Sequence, residues 1–117
     1  MAATYRLPEI MRELGDDAEI EALGGQIADD LANCARRLRA DDAGPGKRRE
    51  ILHELRGVAL TLRAERLVTL CREAEAALTR APDAGMDDLA AHICDLTDML
   101  ATSVRAETSR NRPGRPA

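Results

Sequence analysis

Among the side chains of this 117-residue chain that could do covalent chemistry, His53 has the most informative surroundings. It lies within Ile51-Leu52-His53-Glu54-Leu55-Arg56-Gly57-Val58-Ala59-Leu60-Thr61-Leu62. An α-helix turns about 100° per residue, so Ile51, Leu55, Val58, Ala59 and Leu62 form one apolar stripe. His53 falls on the opposite side, in company with Arg49, Arg56, Gly57 and Leu60. A single imidazole without a buried partner is poorly equipped for hydrolysis, but neutral imidazole is abundant near pH 7 and suffices as a nucleophile. Phosphoryl transfer suits such a group, because that chemistry depends mainly on positioning and charge neutralisation, part of which a partner can supply. Arg56, about one turn from His53, is placed to hold phosphoryl oxygens or a partner's acidic pocket, and Arg49, one turn the other way, is a second candidate.

Two further residues on this face break local rules. Glycine inside a helix costs about 1 kcal/mol relative to alanine, so Gly57 points to something that must approach the backbone closely. Leu60 and Gly57 together offer a small apolar platform beside His53. The bland alternative is a surface helix with a chance histidine, a tolerated glycine and solvated arginines. Other chemistry lacks its residues: there is no Gly-rich phosphate loop and no Ser-His-Asp arrangement legible from spacing. His92 and Cys94 point about 200° apart on a helix and do not form a metal pair.

The elements that must carry this face are all helical. Leu7, Ile10, Met11 and Leu14 predict a short leading helix over Thr4–Leu14, with Pro8 in its first turn and Gly15 as its stop. Asp16 or Asp17 caps a longer helix running to about Arg39 on Ile20, Leu23, Ile27, Leu31, Cys34 and Leu38. Gly24-Gly25 weakens it locally, leaving a kink or break open. After the turn Asp41–Gly46, the His53 helix starts near Lys47, and the pattern Leu67, Leu70, Cys71, Ala74, Leu78 carries a further helix to about Arg80. A second turn, Ala81–Gly85, precedes a last helix on Leu89, Ile93, Leu96, Leu100 and Val104. Residues 1–108 thus read as one domain, and Ser109–Ala117 as a disordered basic tail. Short connections make successive helices antiparallel, so the fold class is all-α: an up-and-down four-helix bundle with an additional short N-terminal helix.

Composition excludes several partners. Aromatic residues are 1% of the chain, with Tyr5 alone, which leaves no stacking platform for single-stranded nucleic acid, and the net charge of -4 argues against a general polyanion binder. No apolar run is long enough to span a membrane and no basic-then-apolar leader opens the chain, which reads as cytoplasmic. Cys34, Cys71 and Cys94 are odd in number, widely spaced and set among apolar positions, so they read as core thiols.

His53-Glu54-Leu55-Arg56-Gly57 resembles the His-x-Leu-Lys/Arg-Gly motif of histidine-containing phosphotransfer domains, and Ala64–Glu75 resembles that family's next helix. The likeness in architecture extends over the leading helix and the Leu14–Asp17 junction, and its specific part is the run of roughly 25 residues from His53. The resemblance implies that His53 is the phosphoacceptor through its outer ring nitrogen, that Arg56 assists the phosphoryl group or the receiver's acidic site, and that Gly57 leaves room for a receiver domain to dock. It implies a monomeric carrier with no nucleotide site and no bound cofactor. Such a carrier moves a phosphoryl group between aspartates of response-regulator receivers or a hybrid histidine kinase, with Mg2+ held by the receiver. One position departs from the family: Arg63 stands where a glycine usually ends the helix, so Arg63 takes a left-handed conformation or the turn differs. His53-Glu54-Leu55-Arg56 also resembles the phosphoacceptor box of sensor kinases, in which the acidic residue serves as a base, but Gly57-Val58 replaces the usual Thr-Pro. A dimeric kinase-like phosphotransferase and a docking-only adaptor are the alternatives.

Overall fold

The structure, a computed structural model, describes residues 5–7, 17–40, 44–81 and 87–110. Four helices account for nearly all of them: α1 (Asp17–Arg39), α2 (Pro45–Thr61), α3 (Glu65–Arg80) and α4 (Asp87–Arg110). No strand occurs among the described residues. Each helix packs on two neighbours, α1 on α2 and α4, and α3 on α2 and α4, which closes the expected up-and-down bundle. The closest pairings are α1 with α4 and α2 with α3.

The core is aliphatic, as the composition requires. Leu31, Leu52, Leu55, Leu67, Ile93 and Leu100 are fully buried. Leu52 widens the α2 stripe beyond the positions expected, while Val58 is only partly covered. The three cysteines are free and buried. Burial pushes the Cys71 thiol up to about 12, with Glu75 adding to the rise and Arg56 opposing it. Cys34 is pushed up to about 11, again chiefly by burial and then by Glu54. Thr97 and Thr108, the buried hydroxyls, donate to the carbonyls of Ile93 and Val104 one turn back, at 2.7 and 2.8 Å.

Gly24 has a packing reason. α1 runs through Gly24-Gly25 without interruption. A Cβ on Gly24 would overlap the buried Thr108 side chain, coming within 2.6 Å of its hydroxyl, whereas one on Gly25 would meet nothing. Gly24 therefore sits where α4 approaches α1 closely, and Gly25 does not.

α2 begins at Pro45, two residues before the expected start, with Gly44 as an extended N-cap whose carbonyl accepts from Arg48 N–H at 2.9 Å. Proline in the first turn removes an N–H that the helix leaves unpaired anyway. At the other end, Arg63 N–H donates to the Leu60 carbonyl at 3.1 Å and Ala64 N–H to the Ala59 carbonyl at 2.9 Å, with Arg63 at φ 52°. This is a Schellman closure with arginine in the left-handed position that glycine fills without strain, at a cost of about 1 kcal/mol. Of the two possibilities for this turn, the chain adopts the left-handed arginine. Ala64, buried like Ala59, then leads straight into α3.

Two expectations at the ends change. Of the leading helix expected over Thr4–Leu14, Tyr5–Leu7 is described and is not helical, and the remainder of that segment lies outside the described residues. Leu7 precedes Pro8, whose ring disfavours the helical region for the residue before it. Arg6 N–H donates to the Leu62 carbonyl, and the Tyr5 hydroxyl donates to Glu107 at 2.6 Å, so this segment ties the end of α2 to α4. Ser109 and Arg110, assigned to the tail, belong to α4, and the rest of the tail lies outside the described residues.

Candidate functional site

All five residues singled out on α2 lie where the helical wheel puts them. The stripe of Ile51, Leu55, Ala59 and Leu62 is fully buried, which turns His53 outward. The His53 side chain is 72% exposed. Gly57 is exposed on the same face, and Leu60, at 52%, is one of two large apolar residues exposed among those described, with Met99 on α4 the other. No heavy atom lies within 4 Å of a Cβ built on Gly57. Nothing among the described residues therefore requires a glycine there. Arg49 is exposed on the same helix and is not brought to His53.

Arg56 does reach the histidine. Its Nη2 donates to His53 Nδ1 at 3.0 Å, one turn apart on α2. The same guanidinium places Nη1 3.2 Å from Glu75 Oε2 on α3, an ion pair without hydrogen-bond geometry, and Glu75 Oε1 lies 3.7 Å from His53 Nδ1. The three side chains form a triangle across the α2–α3 contact. Glu75 is the inner corner at 17% exposure, Arg56 is intermediate at 26%, and His53 is the outer corner.

Because a guanidinium can only donate, Nδ1 accepts in the neutral ring and the ring proton sits on Nε2. In the other neutral tautomer Nδ1 carries the proton and faces Glu75 rather than Arg56, and the lone pair lies on Nε2.

Sequence reasoning missed Glu75. The signal was a carboxylate set into the apolar stripe Leu67, Val68, Cys71, Ala74 and Leu78 of α3, one turn after buried Cys71. Glu54, by contrast, is drawn away from the histidine beside it: its Oε2 accepts from Arg37 Nη1 of α1 at 2.7 Å. The second histidine, His92 on α4, has its Nε2 3.3 Å from Arg66 Nη2 and takes no part in the triangle.

The charge of the bundle is divided between its two closest helix pairs. Residues 44–81, which form α2, α3 and their turn, carry eight Lys or Arg against five Glu, while α1 and α4 carry ten acidic against five basic residues. His53 therefore stands on the positive half of a chain whose overall charge is -4.

Among the described residues no group of three or more His, Cys, Asp or Glu side chains could hold a metal ion, and no helix is long and apolar enough to cross a membrane. Compared with known protein families, curated proteins and solved structures, the chain matches none.

Proposed function

We propose that this protein is a histidine phosphocarrier of a phosphorelay, which accepts a phosphoryl group on His53 from a receiver-domain aspartate and hands it to another. The observation that carries the reading is the triangle at His53. An exposed imidazole presents Nε2 outward, while its inner nitrogen is served by a cation from its own helix and an anion from the next. Arg56, a glycine with open space above it and an exposed leucine stand beside it on α2, with Arg49 exposed elsewhere on the same helix, all on the more basic half of the bundle. That setting suits an acidic partner surface.

The chemistry follows from the geometry. The incoming phosphoryl group competes for Arg56, whose guanidinium binds phosphoryl oxygens in a charge-assisted pair. With Arg56 withdrawn, the ring proton resides on Nδ1 and faces Glu75. Nε2 attacks phosphorus in line; the aspartyl P–O bond breaks, the N–P bond forms, and the carboxylate stays with the receiver. The phosphorylated ring keeps its Nδ1 proton and is cationic, and Glu75 stabilises that charge. Handover is the reverse, with the receiver's Mg2+ supplying the remaining charge neutralisation.

In this reading the protein works as a cytoplasmic monomer with no cofactor of its own, and receiver domains or a hybrid histidine kinase are its partners. Glu54 pairs with Arg37 rather than with His53, which supports the carrier reading over the kinase-like alternative, and no observation favours a docking-only adaptor. The test is transfer from a phosphorylated receiver domain, with Mg2+, to the wild type and to His53→Gln. Acid-labile, alkali-stable label on the wild type alone supports the reading. Receiver binding without label on either protein overturns it.

A further inference from the structure

Arg63 is the described non-glycine residue with positive φ, and its side chain has no local reward for that position. It is exposed, and among the described residues its guanidinium makes no hydrogen bond or ion pair. Glycine would satisfy the same two backbone hydrogen bonds without strain. Backbone strain of this kind persists where a side chain is needed for something outside the fold.

The position says what that is. α2 ends at Thr61, about 12 Å beyond His53 at the usual rise per residue, and Arg63 follows in the closing turn, three residues after exposed Leu60. A protein interface of ordinary size buries about 800 Å² per partner, a disc of roughly 16 Å radius. A patch centred on His53 therefore includes Leu60 and ends at Arg63. The side chain also belongs to the basic half of the bundle, where charge complementarity selects an acidic protein surface.

We propose that Arg63 is a specificity-determining docking residue: a cation at the rim of the His53 face that pairs with an acidic side chain of the receiver partner and sets which receivers are served. The inference rests on the phosphocarrier reading. A rim charge acts on encounter and on salt dependence more than on the reacting atoms, so it affects KM and leaves the saturating rate alone.

The test compares wild type, Arg63→Gly, Arg63→Gln and Arg63→Lys in transfer from a phosphorylated receiver, in receiver binding at 0.05 and 0.5 M salt, and in thermal unfolding. Arg63→Gly is expected to raise Tm by about 3–6 °C. In the same protein KM and the binding constant rise about three- to tenfold at low salt, a difference that shrinks at high salt. Arg63→Gln loses affinity equally without the gain in Tm, and Arg63→Lys stays within about twofold of wild type. An Arg63→Gly protein that is more stable and binds and transfers like wild type overturns the proposal and leaves the relay intact. If the wild type takes no label at any receiver concentration, the relay reading fails, and the salt-dependent binding of the four proteins then decides Arg63 on its own.

Discussion

Arg56 Nη2 stands 3.0 Å from His53 Nδ1, closer than the Glu75 carboxylate that lies 3.7 Å from the same nitrogen. The nearer partner decides the resting tautomer. With the guanidinium donating, the free protein keeps its ring proton on Nε2, and the exposed nitrogen becomes a nucleophile only when Arg56 is drawn elsewhere.

This makes Arg56→Ala informative. The ring 15N shifts of His53 are expected to report the Nε2–H tautomer in the wild type and the Nδ1–H tautomer in the variant, where Glu75 is the remaining partner. Phosphoryl transfer falls about tenfold or more despite the better-placed lone pair, because one charge-assisted contact to the phosphoryl group is lost. An unchanged tautomer removes Arg56 from control of the ring.

Glu75 acts through the imidazole, so its variants separate charge from shape. Glu75→Gln keeps an acceptor for Nδ1–H but does not stabilise a cationic phosphorylated ring. Transfer in both directions is expected to slow about tenfold, read from single-turnover transfer with a phosphorylated receiver. Unfolding midpoints stay close to wild type, since the side chain sits at the edge of the core. A fall in stability with no change in the transfer rate assigns Glu75 to packing alone.

The helical glycines divide by what a methyl group would meet. Gly24→Ala drives Cβ into Thr108 and is expected to destabilise by about 1–3 kcal/mol. Gly25→Ala and Gly57→Ala meet nothing and are expected to stabilise by about 0.5–1 kcal/mol, with Gly57→Ala slowing transfer because the methyl occupies the approach to His53. Denaturant unfolding of the three variants checks the order, and loss of stability in Gly25→Ala contradicts it.

Stability at alkaline pH follows from the buried thiols. Their pKa values are raised in the folded state, so the native protein holds its thiol protons more tightly than the unfolded chain. The contribution is fully present below the ordinary value of 9.0 and is lost as pH rises toward about 12 for Cys71. Unfolding free energy is expected to be level in this respect up to pH 9 and to decline above it, by at most about 1.4 kcal/mol per pH unit for one thiol. Cys71→Ala flattens that decline, and an unchanged slope contradicts the assignment.

The bundle was legible because its apolar residues recur every three or four positions and its turns carry Gly and Pro. The exposed face of α2 was legible for the same reason: Leu55 and Ala59 inward oblige His53 outward. What escaped depends on which helices meet and at what height. Gly24 looked like a weak point because its partner, Thr108, lies at the far end of the chain. Glu75 carried no role until the α2–α3 register brought it under His53. Arg63 could be read only as a choice between two turn geometries, which the two backbone hydrogen bonds resolve. Of the leading segment only Tyr5–Leu7 bears on the expectation, and there Pro8 restricts a residue that fits the helical pattern.

The most direct test of the account is to incubate the protein with a phosphorylated receiver and Mg2+ and correlate 31P with the ring nitrogens of His53 by NMR. Phosphorus coupled to Nε2 of His53, with Nδ1 carrying the proton, is the predicted result. A wild-type protein that binds the receiver and carries no phosphorus on His53, or carries it on another residue, contradicts the account.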